Sequence, residues 1–246
     1  MVLVRYLLGF LFVGGVWFIG SWSLGEVLLP DPITTTKAFF EALGTEVFWG
    51  HIFASLSRLI IALLVSIVVA FPLGLLLGHS RCADWLGSPI LFITYPLPKI
   101  VLLPVFFMLV GLGDASRVLL IALTAGYQLL VITRASALSI DPTYEKSFFS
   151  MGGNRWQAVR YVYIPAALPE LFTALKIAVG TAIAVLFLAE SFATTTGLGY
   201  IIMDAWGMGD SLLMFVAILG MSVMGLVVYS CIGLAERVFC RWNYVK

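Results

Sequence analysis

The sequence predicts an all-α integral membrane protein of about six transmembrane helices, and three observations carry that prediction. Of 246 residues, 61% are hydrophobic and only 11% are charged, and the mean hydropathy is +1.06, a composition foreign to soluble domains. The apolar residues come in runs near 20 long, the length that crosses a hydrocarbon core of about 30 Å at about 1.5 Å per helical residue. The runs are continuous rather than alternating, so the spans are helices and not barrel strands.

Taken in order, Tyr6 to Gly25 carries no charge and reads as the first span, an anchor rather than a cleaved signal, because no small-x-small site follows. Glu26 to Gly50 is amphipathic; Leu29-Pro30-Asp31-Pro32 opens it as a turn, and Thr34 to Leu43 reads as a surface helix. Leu59 to Gly78 is the second span, with Pro72 expected to kink it. Asp84 to Ser88 reads as a connector, and Trp85 to Gly113 as a third span broken at Pro96, Pro98 and Lys99. Asp114 to Arg117 reads as a tight turn before a fourth span, Val118 to Thr133. A polar loop follows, then Glu170 to Ala189 as the fifth span, Glu190 to Asp210 as a re-entrant or surface loop, and Ser211 to Ala235 as the sixth. The chain reads as one transmembrane domain over 1–246, with a core at about 50–236 and a cytoplasmic loop at about 138–168.

Positive charge sets the orientation. With the N-terminus inside, the inner segments hold Arg5, Arg81, Arg134, Lys146, Arg155, Arg160, Arg237, Arg241 and Lys246, while Lys37 and Arg117 fall outside among most of the acids. Both termini and the polar loop are therefore expected in the cytoplasm. A net charge of +1 argues against a nucleic-acid partner, and Cys82, Cys231 and Cys240 show neither metal-ligand spacing nor a disulfide frame.

The polar loop, Tyr144 to Pro169, is longer than a turn requires. Asp141-Pro142 biases the chain out of helix before it. Tyr144 to Met151 then forms a short helix containing Glu145, Lys146, Ser147 and Phe148, which Gly152-Gly153 ends. Asn154 caps a second segment, Arg155 to Val162, stopped by Pro165. Two short helices with a glycine elbow make a stiff lever; a solvated amphipathic surface helix is the plainer alternative.

The spacing Gly152 to Val162-Tyr163-Ile164-Pro165 resembles the cytoplasmic E-A-A-x3-G-x9-I-x-L-P loop of ABC importer permeases, with Lys146, Ser147 and Phe148 in place of Glu-Ala-Ala and Glu145 one position early. Leu29-Pro30-Asp31-Pro32, Ser55-Leu56-Ser57-Arg58, Tyr95 to Pro104, Gly111 to Asp114 and Gly197 to Tyr200 look, in that order, like the nitrate/sulfonate/taurine/bicarbonate group of those permeases. The resemblance implies a type I importer permease in the inner membrane, passing a small anion such as a sulfonate, taurine, nitrate or bicarbonate. It implies a second copy of the permease, two ATPase subunits that bind ATP and Mg, and an external solute-binding protein. It also implies that the loop couples to the ATPase through Glu145, Lys146, Ser147, Phe148, Met151, Gly152, Gly153, Asn154, Arg155 and Pro165. The chain itself has no G-x4-G-K-[ST] loop and no catalytic cluster, so it is expected to bind no cofactor and to be no enzyme.

The expected substrate path centres on Tyr95, Pro96, Pro98 and Lys99. Two prolines break the helix, a break at depth is tolerated only against protein or a water cavity, and a restarting helix would aim its N–H groups and Lys99 at an anion. Snorkelling of Lys99 to lipid phosphate is the alternative. Thr124 and Gln128, four apart on one face, line the path or glue helices together. Glu190 either gates the outer side or sits in headgroup water. A gradient-driven secondary transporter is the rival class; it would carry paired intramembrane acids and an internal repeat, neither of which is found in the sequence.

Overall fold

The computed structural model describes residues 2–243, so the expected inner position of Lys246 lies outside them. Among the described residues the chain is helical throughout, in the order α1 Val2–Leu24, α2 Pro32–Ala42, α3 Glu46–His79, α4 Arg81–Thr94, α5 Leu103–Val110, α6 Asp114–Leu138, α7 Pro142–Ser150, α8 Arg155–Ala158, α9 Ile164–Glu190, α10 Leu198–Met208 and α11 Ser211–Phe239. Four helical runs are long and apolar enough to cross a membrane singly: α3, α6, Arg155–Glu190 and α11. The pair α4 and Lys99–Val110, bent by 89° between them, is either a broken fifth span or a re-entrant loop. Leu11–Leu24 of α1 is an apolar helix too short to cross by itself, so the described residues supply four or five of the about six spans expected.

Contacts divide the chain into two compact units, Met1–Leu56 with Glu190–Met224, and Ser57–Ala189 with Gly225–Lys246. In the first, Gly25 at φ +82° ends α1 in the left-handed conformation that glycine favours. The Trp17 indole N–H donates to the Pro30 carbonyl at 3.0 Å. Asp31 caps α2 by accepting from the Ile33 and Thr34 amides, and Pro32 occupies the first turn, where no donor is missed. This is the surface helix expected from Thr34 to Leu43. Phe39 and Phe48 are buried edge to face, with centroids 6.1 Å apart, and Gly220 of α11 leaves them room: a Cβ there would stand 3.1 Å from the Phe48 ring.

In the second unit, α3 meets α6 at backbone range. A Cβ on Gly74 would lie 2.7 Å from Thr133 Cβ, and one on Gly78 would lie 2.4 Å from Ala137 Cβ. Small residues four apart are the common device for close helix approach in membranes, where lipid tails remove the hydrophobic drive and van der Waals contact remains. Alanines 174, 178 and 182 of α9, together with Leu186, are fully buried. Three polar contacts tie the apolar spans together: Thr181 Oγ1 donates to Gln128 Oε1 at 3.1 Å, Arg134 grips Asp84 through two bonds of 2.6 and 2.9 Å, and Lys176 pairs with the buried Glu236.

Several boundaries differ from expectation. Helix α3 begins at Glu46, ahead of the apolar run, and Pro72 stays inside one helix. Asp84 to Ser88 is helix, not connector, because the Ser80 hydroxyl caps α4 by accepting from the Ala83 amide and Asp84 pairs with Arg134. Asp114 to Arg117 is the first turn of α6; an acid there suits the positive helix end. Pro165 does not stop the helix: the run Arg155–Glu190 continues through a π turn at Val159–Tyr163 into α9, of which Pro165 is the second residue.

Candidate functional site

The polar loop folds as a short helix, an elbow and a capped second helix. Asp141 accepts the Thr143 amide at 2.8 Å, and that N–H bond, aided by the Thr143 hydroxyl and the Lys146 charge, holds the carboxyl below its usual range. Gly152 takes φ +83°, and Gly153 receives the Phe148 ring: a Cβ there would stand 2.2 Å from it. Asn154 and Gln157 form a reciprocal capping box with 2.9 Å bonds. Phe148 thus faces inward, as does half-buried Glu145, while Lys146, Ser147, Gly152, Asn154 and Arg155 are exposed. Tyr144, Met151 and Trp156 are exposed by 67, 79 and 83%, a large apolar display beside polar groups, as a docking face requires. Pro165 lies away from the elbow, in α9.

The break at Tyr95 to Pro98 is real, and its charge is arranged differently from expectation. The chain restarts as a 3-10 turn, Lys99–Leu102, before α5, so no α-helical N-terminus aims at a cavity there. The Lys99 ammonium turns back instead, donating to the Thr94 carbonyl at 3.3 Å and to the Tyr95 carbonyl, a cation closing the negative end of α4. Tyr127 completes the arrangement. Its ring centroid is 4.4 Å from Lys99 Nζ, with that of Tyr95 at 5.1 Å, and its hydroxyl bonds Thr94 Oγ1 at 2.9 Å. Tyr95, Pro96, Leu97 and Pro98 are exposed. Lys99 is therefore a fixed, half-buried cation between two aromatic faces.

Thr124 and Gln128 do not join it. Thr124 donates to the Leu120 carbonyl of its own helix at 2.9 Å, and Gln128 serves Thr181 as an interhelical bond. A cavity of about 500 Å³ lies between α3, α4 and α6. Its polar groups are occupied: Ser66 donates to the Ala62 and Ala122 carbonyls, and Tyr127 bonds Thr94.

Glu190 sits neither in headgroup water nor at an open gate, for it is 1% exposed. Its carboxylate accepts from Ser55 Oγ at 2.8 Å and from the Gly199 amide at 2.9 Å. Ser55 Oγ in turn accepts the Leu198 amide at 2.8 Å, and His51 Nδ1 accepts the Gly197 amide at 3.1 Å. Three orphan donors at the start of α10 are thereby satisfied around a negative charge. Gly197 makes this possible, since at φ +117° a Cβ would stand 2.4 Å from Glu190 Cδ. In the other unit, Arg58 and Arg117, each 2% exposed, converge on Asp114: Arg58 Nε donates at 2.8 Å and Arg117 Nη1 lies at 3.7 Å. Ser55, Arg58 and Asp114 carry the sequence signals Ser55-Leu56-Ser57-Arg58 and Gly111-Leu112-Gly113-Asp114; their bonding partners were not readable from them.

Comparison with known proteins gives four findings. The family described as binding-protein-dependent transport system inner membrane component matches residues 70–239. The chain is similar to the riboflavin transport system permease protein RibX of Chloroflexus aurantiacus, at 32% identity over 88% of this chain and 81% of that one. It is also similar to the taurine transport system permease protein TauC of Escherichia coli K12, at 28% identity over 87% of this chain and 78% of that one. A chain of the inward-facing MetNI methionine ABC transporter has the same fold, with a TM-score of 0.64 at 21% identity over 79% of this chain and 94% of that one.

Proposed function

The chain belongs to the family of binding-protein-dependent transport system inner membrane components, and on that premise we propose the solute, the partners and the path. It is a multi-pass inner-membrane permease subunit of an ABC importer. Its solute is a small anion of the sulfonate or taurine kind, with nitrate and bicarbonate in the same chemical class. The observation that carries this reading is Lys99: a cation fixed at an exposed break in a span, between Tyr95 and Tyr127, gives an anion a charged station inside an apolar bundle. Similarity to a taurine permease supports it. An aromatic solute is the second reading, favoured by the 32% identity to a riboflavin permease.

The permease pairs with a second copy, receives solute from an external binding protein, and rests on two ATPase subunits that hold ATP and Mg. Its termini and the segment from α7 to α8 face the cytoplasm, and the exposed Tyr144 and Met151 meet the ATPase there. ATP closure then shifts the bundle between two discrete states. The test is uptake into vesicles holding the permease, its ATPase and its binding protein. Import of labelled taurine or alkanesulfonate that needs internal ATP and survives collapse of ion gradients supports the proposal. Import driven by a gradient without ATP refutes the importer reading, and ATP-driven import of a flavin but no sulfonate refutes the anion.

A further inference from the structure

Glu145 stands one position before the place where the family loop has its glutamate, and the structure gives it a different neighbour. It is half-buried on the inward face of α7, three residues before Phe148, while Tyr144, Lys146 and Ser147 face outward. Its carboxylate faces the hydroxyl of Tyr163. Tyr163 ends the π turn Val159–Tyr163, a rare insertion often found at functional positions. The turn separates two tyrosines sharply: Tyr161 is 61% exposed and Tyr163 only 5%. The buried ring of Tyr163 lies on the imidazole of His79, centroids 4.1 Å apart. His79 is the last residue of α3, and Ser80 beside it caps α4. Tyr163 therefore lays its ring on the joint of two long helices and turns its hydroxyl toward Glu145 of the short helix α7.

The hydroxyl completes no well-formed hydrogen bond in this state. A buried O–H facing a carboxylate and still unsatisfied is a group that gains from a small inward movement of that carboxylate. We propose that Tyr163 is a positioning residue for transport: when α7 is pressed inward, the Tyr163 hydroxyl closes on Glu145 and its ring carries the displacement to His79 at the α3–α4 joint. The inference rests on the reading that an ATPase engages α7.

The test uses the complete transporter in vesicles, measuring solute imported per ATP hydrolysed. Tyr163→Phe keeps the ring and removes the hydroxyl. It is expected to leave assembly and the melting midpoint unchanged while lowering that ratio about fivefold, the factor set by one net hydrogen bond. Glu145→Ala should give a similar loss. The double variant should be no worse than either single, because both remove the same contact. His79→Phe, which preserves a ring, should retain coupling that His79→Ala loses. A wild-type ratio in Tyr163→Phe, or losses that add in the double variant, overturns the inference while leaving the importer intact. Wild-type vesicles that import without ATP overturn the importer reading and this inference with it.

Discussion

Replacing Gly197 by alanine tests the account of the α10 anchor in two independent ways. The backbone there has φ +117° and ψ 161°, a region open essentially to glycine, so a side chain costs about 1–3 kcal/mol in strain. The new Cβ also falls 2.4 Å from Glu190 Cδ, closer than any contact allows, and the carboxylate must leave. Its departure strands the Gly199 amide or the Ser55 hydroxyl in a buried place, at about 1–3 kcal/mol for one unsatisfied group. The sum is about 2–6 kcal/mol. At about 2–4 °C per kcal/mol for a chain of this size, the midpoint falls by at least about 4 °C and centrally by about 12 °C. The assay is thermal unfolding of the purified protein in detergent. Gly180→Ala is the control: Gly180 sits inside α9 with nothing within 4 Å of its would-be Cβ, so alanine there is neutral or stabilising by up to about 1 kcal/mol. A Gly197→Ala midpoint equal to wild type, with Gly180→Ala behaving as stated, would refute the claim that glycine at 197 exists to seat the Glu190 carboxylate.

Gly152→Val places a β-branched residue at φ +83°, and is expected to distort the elbow and lower transport at least about fivefold, if a strain of about 1–3 kcal/mol falls on coupling; full transport would remove the elbow from the mechanism. Lys99→Met removes the charge at the broken span and is expected to cut anion uptake with ATPase activity retained, whereas Lys99→Arg keeps part of it because a planar fork replaces a point charge. If Lys99→Met lowers expression instead, the ammonium acts only as the cap on α4. Single cysteines at Asn154 and Glu41 are expected to label from the cytoplasmic and external sides respectively, and labelling of Asn154 from outside would reverse the topology.

The long elements were legible in the sequence because their cause is local. An uninterrupted apolar run has one stable form in lipid, and the cap at Asn154 acts within three residues. The elbow was legible for the same reason: Gly152 was expected to turn left-handed and does. Boundaries failed where a short-range polar signal was overruled by a partner elsewhere. Asp84 looked like a loop residue, yet Arg134, 50 positions on, takes it as a bonding partner inside a helical turn. Pro165 looked like a stop, and the π turn before it was invisible because no residue type marks one.

The candidate site divides along the same line. Charge in an apolar run announces function or a partner, and the sequence alone does not say which. Lys99 reads from the sequence as an anion station at a broken span or a snorkelling anchor, and Glu190 as an outer gate or an acid in headgroup water. The structure parts them by what surrounds each charge. Ser55, 135 positions away, donates to the Glu190 carboxylate, and the α10 amides close over it until 1% remains exposed. A solute arriving there would have to break bonds already made, at a cost that no exposed surface repays. Lys99 is anchored through its α4 carbonyls but sits half-buried beside the exposed run Tyr95 to Pro98. Its Nζ has three donors, of which the Thr94 and Tyr95 carbonyls take two. The Tyr127 ring faces the same ammonium, so of the two charges Glu190 is the one closed into the structure, and Lys99 is the one that the proposed function assigns to a passing solute.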